Sequence, residues 1–155
     1  IDGIGTRKDG SGGETANLPE PKKFVRLYAS EAIAKGDVVC LDFSNTEPSQ
    51  GYGNAIRIAD SNATNDGCEL RSAIGVAVEA ITSGSLGRVQ VYGVCGIAKA
   101  TPGSCAPGEP VTVHTDPGEL AVASSAEYLV VGIYIKDGTD GTASSSVFLI
   151  NPANL

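Results

Sequence analysis

The chain has 155 residues, 41% of them hydrophobic, and its 11 basic and 18 acidic side chains give a net charge of −7. These totals set the expectation of one domain with a modest core, and the acidic balance argues against a phosphate-binding surface, so no nucleic-acid partner is expected. No apolar run reaches the roughly 18–20 residues that a membrane-spanning helix needs, and no membrane partner is expected either.

Residues 1–23, IDGIGTRKDGSGGETANLPEPKK, hold five Gly, two Pro and only four apolar side chains, Ile1, Ile4, Ala16 and Leu18. Such a segment buries too little surface to offset its ordering entropy. It reads as an extended N-terminal arm, either floppy or ordered against a partner. Residues 1–26 carry Arg7, Lys8, Lys22, Lys23 and Arg26 against Asp2, Asp9, Glu14 and Glu20, a net of +1, so the remaining residues sum to −8.

Residues 24–155 read as one β domain. The segments KFVRLYA, DVVCLDF, NAIRIAD, SAIGVAVEAI, GRVQVYGVCGIAKA, EPVTVHT, EYLVVGIYIKD and SSVFLIN are expected strands, separated by turns such as Asp66-Gly67, Pro102-Gly103, Pro117-Gly118 and Asp137-Gly138. The fold class is therefore all-β, a small barrel or sandwich of about eight strands. An internal echo runs through it. AKGDVV (34–39) matches APGEPV (106–111), AIGVA (73–77) matches VVGIY (130–134), and VQV (89–91) matches VFL (147–149), in the same order. Two related halves closing a barrel would produce this pattern.

The segment 87–100 is apolar on both parities. Val89, Val91, Cys95 and Ile97 are expected to fill the barrel, while Tyr92, Val94 and Ala98 are left to meet a neighbouring chain or an overlying loop. The four cysteines, Cys40, Cys68, Cys95 and Cys105, show no zinc spacing. They read as buried thiols or as one disulfide, with Cys95–Cys105 the least strained pair.

Catalytic chemistry finds little support. His114, the one histidine, falls on the strand parity opposite Val111 and Val113 and is expected to face solvent. No nucleophile elbow or phosphate-binding glycine loop occurs. Asp60, Asn62 and Thr64 suggest a calcium loop, yet Asn65 stands where glycine belongs and Arg71 where the bidentate glutamate belongs, so no metal is expected.

The runs ASEAIAKGDVVCLD, AIGVAVEAITSGSLGRVQVYGVCGIAKA, APGEPVTVH and VVGIYIKDGT…VFLI resemble the head-decoration, or capsid cement, proteins of tailed bacteriophages. The resemblance spans about residues 28–150 and consists of Gly and Val patterns rather than a chemical signature. It implies a structural protein with no catalysis and no cofactor. Such a protein forms a homotrimer on the outer surface of the capsid, assembled in the host cytoplasm, and clamps neighbouring subunits of the major capsid protein. In that setting Ile1, Ile4 and Leu18 would anchor the arm, Arg7, Lys8, Lys22 and Lys23 would meet acidic capsid patches, and Tyr92, Val94 and Ala98 would form the subunit interface. The competing reading is a receptor- or glycan-binding β module of a virion fibre or surface protein, with an exposed loop around Tyr52 and 60–70.

Overall fold

The computed structural model describes residues 21–44, 53–61, 72–101, 105–124, 130–137 and 144–150, together with the strands β1 (Thr6–Lys8) and β2 (Glu14–Ala16). β1 and β2 pair antiparallel, Thr6 opposite Ala16 and Lys8 opposite Glu14, so a small hairpin stands inside the segment read as an extended arm. Ile1, Ile4 and Leu18 lie outside the described residues.

Among the described residues the rest is also β. It comprises β3 (Lys23–Ala29), β4 (Val38–Leu41), β5 (Ala55–Ile58), β6 (Ala73–Ala77), β7 (Leu86–Lys99), β8 (Pro110–Val113), β9 (Leu120–Val122), β10 (Gly132–Asp137) and β11 (Ser144–Leu149). These nine strands form one sheet in the order β3-β5-β4-β6-β7-β11-β10-β8-β9, and β3 also pairs with β7, so the first five close into a barrel. The all-β expectation holds with one strand more than expected. The addition is β9, whose three residues are too short for alternation to show.

The strand order is a palindrome about the β7–β11 pair: β5-β4-β6-β7 on one side is mirrored by β9-β8-β10-β11 on the other. The echo in the sequence is thus a repeat in space, and it extends to single hydrogen bonds. Ala34 N–H donates to Asp37 Oδ2 at 2.8 Å, as Ala106 N–H does to Glu109 Oε2 at 2.6 Å. Gly36 N–H donates to Ala77 O, as Gly108 N–H does to Tyr134 O, both at 2.8 Å. The turn conformation demands glycine in both halves, with φ of 92° at Gly36 and 90° at Gly108.

The second half also returns on itself. β3 lies parallel to β5, with Ala29 opposite Ile56 and Ser30 N–H donating to Ile56 O. In the second half the end of β7 takes that place. Ala100 bridges Leu120 in parallel, and Thr101 N–H donates to Leu120 O at 2.9 Å. The 14 residues of β7 therefore belong to both rings, pairing first with β3 and β6 and then with β11.

Two apolar clusters follow. Val39, Ile56, Val89 and Val91 meet inside the first barrel. Val111, Leu120, Val147 and Leu149 fill the second half, joined by Val38, Cys40 and Val76 from the opposite faces of β4 and β6. Both faces of β4 are thus covered by the chain itself, and each fully buried Val or Leu contributes about 1.5–3 kcal/mol.

The same applies to β7, and it corrects part of the sequence reading. Val89 and Val91 enter the first cluster, while Cys95, Ala98 and Ala100 enter the second. Between Cys95 and Ala98 the strand advances three residues while its partner advances two, from Val147 to Ser145. This bulge shifts the alternation by one, turning Ala98 inward and leaving Ile97 half-buried. Ala98 is 0% exposed within its own chain and offers no surface to a neighbour. Tyr92 and Val94 remain half-buried.

The Cys95–Cys105 pairing is overturned as well. Both are thiols, whereas Cys40 is disulfide-bonded. Burial pushes the Cys95 thiol pKa up, so it is not a thiolate at neutral pH. Native protein treated with iodoacetamide at neutral pH should leave Cys95 unmodified by mass spectrometry while modifying the half-exposed Cys105. Early labelling of Cys95 would show that the second core opens readily.

Candidate functional site

In the ribbon formed by β3 and the first half of β7, inward-facing Leu27 and Ala29 alternate with outward-facing Phe24, Arg26 and Tyr28. Across from them, Val89 and Val91 point inward, and Leu86, Arg88 and Tyr92 point outward. The antiparallel register sets Tyr28 opposite Leu86, Arg26 opposite Arg88, Phe24 opposite Gln90 and Lys23 opposite Tyr92. The result is a band of cations and large apolar side chains on the outside of the first barrel. Phe24 is 45% exposed and Leu86 47%, while Arg26 and Arg88 are both exposed.

Contacts within the band hold its side chains in place. The Arg88 guanidinium lies 5.4 Å from the centre of the Phe24 ring, and Lys23 Nζ lies 5.8 Å from that of Tyr92. Tyr92 in turn meets Phe148 edge-on, with ring centres 5.4 Å apart and planes at 77°. Beneath the band, Gln90 is buried and its Nε2 donates to Tyr92 O at 3.2 Å and to Val94 O at 3.0 Å. Those bonds fix the backbone on either side of Gly93, where φ is 92° and a Cβ would strike the carbonyl of Pro21.

Arg26 and Arg88 stand directly across the strands, an arrangement in which like charges destabilise a sheet. Glu79 Oε1 accepts the backbone N–H of Arg88 at 2.9 Å, but among the described residues no carboxylate forms an ion pair with either guanidinium.

The model of one family, described as phage cement protein, matches residues 25–149, a span that includes both β-ring halves. The chain belongs to the phage cement protein family. No curated protein matches it. Membership makes the chain a structural component of the phage capsid that binds capsid proteins, and the family is not one of enzymes.

For this cement-family chain, the sequence-based site residues are distributed as follows. Lys22 and Lys23 are exposed where the chain enters β3, next to the band, and Lys23 is part of it. Arg7 and Lys8 lie on β1, apart from the nine-stranded sheet in hydrogen-bonding terms. Tyr92 is inside the band, Val94 lies beyond Gly93, and Ala98 is in the core. Tyr52 and most of 60–71 fall outside the described residues. Phe24, Arg26, Leu86 and Arg88 were missed because only strand register brings residues about sixty positions apart into one patch.

Two other features are weaker candidates. His114, Asp116 and Glu119 place ligand-type atoms within 4.8 Å of one another. However, His114 Nδ1 already accepts Asp116 N–H at 3.0 Å, so the imidazole is engaged in a local turn. Beside it, Ser61, Thr112, His114 and Ser124 help to line a hollow of about 160 Å³, smaller than the roughly 300–1,000 Å³ of small-molecule sites.

Proposed function

We propose that this chain is a decoration protein that binds the outer surface of the expanded phage head and clamps neighbouring major capsid subunits, acting as a homotrimer. The observation that carries the reading is the family match across both halves of the fold. Three features support it. The strands of each half return on one another, so docking relies on side chains more than on an open sheet edge. The segment up to the start of β3 is rich in cations, and in this reading Arg7, Lys8, Lys22 and Lys23 meet acidic capsid patches while Ile1, Ile4 and Leu18 serve as apolar anchors. Tyr92 and Val94 retain surface for a neighbouring copy.

Stabilisation then follows from mass action. A protein that binds the assembled shell and not its separated subunits shifts the balance away from rupture, and repetition over a lattice multiplies a weak contact. Purified protein added to expanded shells that lack it should bind saturably and raise the temperature at which they rupture. Shells that neither bind it nor gain stability would defeat the reading. Removing residues 1–20, which stops short of the Pro21 contact with Gly93 and of β3, should leave the melting temperature of the isolated protein nearly unchanged but weaken shell binding. Sedimentation should show a trimer, and a strict monomer both free and on shells would remove the trimer from the account.

A further inference from the structure

Resting on the decoration reading, we infer that the Arg26–Arg88 pair, flanked by Phe24 and Leu86, is the surface with which the chain grips carboxylates on the capsid subunits beneath it. The first argument is that the fold does not need the pair. The two halves are built alike, and Leu27 opposite Gly87 in one corresponds to Ala98 opposite Ser145 in the other. One residue further along stand Arg26 and Arg88 in the first half, and Ile97 and Ser146 in the second. In the second half these two residues fall in the bulge between Cys95 and Ala98, and the strands there pair with no charge at this place.

The second argument is electrostatic. Two guanidinium groups directly across a sheet repel, and no carboxylate of the described residues forms an ion pair with either. This occurs on a chain with a surplus of acidic side chains, −7 overall. A fixed cationic pair on an otherwise acidic body is complementary to an acidic partner surface.

The third argument is chemical shape. A guanidinium presents a planar fork of donors that engages a carboxylate through two hydrogen bonds. The Phe24 ring supports Arg88 at 5.4 Å, limiting the freedom lost on docking. Phe24, at 45% exposed, and Leu86, at 47%, supply the apolar contact that excludes water around a central charged pair. Nucleic acid is a poor occupant because the chain as a whole repels polyphosphate.

The test compares wild type with Arg26→Glu on undecorated expanded shells. The substitution replaces a repelling cross-strand pair with an attracting one, so the isolated variant should melt at the same or a higher temperature. Its affinity for shells should nonetheless fall by roughly ten- to a hundredfold, and its binding should depend less on salt than wild-type binding. Arg26→Gln/Arg88→Gln provides the same comparison should the charge reversal impair folding. Wild-type binding with undiminished binding of both variants would overturn this proposal and leave the decoration reading standing. Failure of the wild type to bind would overturn both. A change in sedimentation with shell affinity intact would assign the pair to a contact between copies, and retention on DNA lost in the variant would assign it to phosphate. Either result would also overturn it.

Discussion

Gly75→Ala should destabilise the isolated protein by about 3 kcal/mol or more, and Gly132→Ala by about 2 kcal/mol. Gly75 lies on β6 where it crosses β7, and a Cβ there would intrude into the carbonyl oxygen of Gln90 and come within 3.1 Å of Val89 Cγ1. Gly132 is its counterpart on β10, where a Cβ would come to 2.5 Å from Phe148 O and 2.7 Å from Val147 Cγ1. In both cases the obstacle is backbone, which cannot rotate aside as a side chain does. Relief requires parting β6 from β7, or β10 from β11. The milder contact at Gly132 includes a valine methyl that has some room to give, hence the smaller figure. Urea unfolding monitored by circular dichroism checks both substitutions. If each leaves the midpoint unchanged, the close approach of the paired strands is not a requirement of the fold.

The second large effect is expected at Asp37. Asp37→Ala should cost about 2–3 kcal/mol, against at most about 1 kcal/mol for Glu109→Ala. The two carboxylates occupy the same place in the repeat, each accepting the backbone N–H three residues earlier. Their surroundings differ. Asp37 is 4% exposed, its Oδ1 pairs with Lys99 Nζ, and its side chain lies against Gly118, where a Cβ would come within 2.9 Å. Removing it strands an N–H and a lysine together and opens a gap. The Lys99 side chain is 35% exposed and can turn partly to water, which keeps the cost below that of a wholly buried pair. Glu109 caps its turn from a half-exposed position, where water substitutes readily. Asp37→Asn should fall between the two, since it can keep the turn bond while losing the charge. Equal losses for Asp37→Ala and Glu109→Ala in the same unfolding assay would show that burial and Lys99 contribute nothing.

Most strands were legible because they obey local rules. KFVRLYA and the run from 87 to 100 alternate or carry β-branched side chains, and Gly-containing turns bound them. The repeat was legible too, because Gly36 and Gly108 need the same left-handed backbone, and Gly75 and Gly132 the same close crossing. What local text does not contain is the bulge opposite Ser146. One additional residue on β7 moved Ala98 from an expected interface into the core. The same limitation hid the cationic band. In the sequence Arg26 ends a basic leader and Arg88 stands in a valine-rich strand. Their meeting depends on the Val25–Val89 register, which forms only when β3 closes the barrel. Lys23 stands out in the sequence by its charge and Tyr92 by its place on an apolar strand, and only the register brings the two together.

β7 acts as a stave in two rings at once, and this bears on a structural component of a capsid. A tug that lifts one ring travels along a single unbroken backbone into the other, with no slack tether between them to stretch first. Strain on either half is thereby shared by the ladders of both, and the molecule meets shear as one girder rather than as two beads on a string.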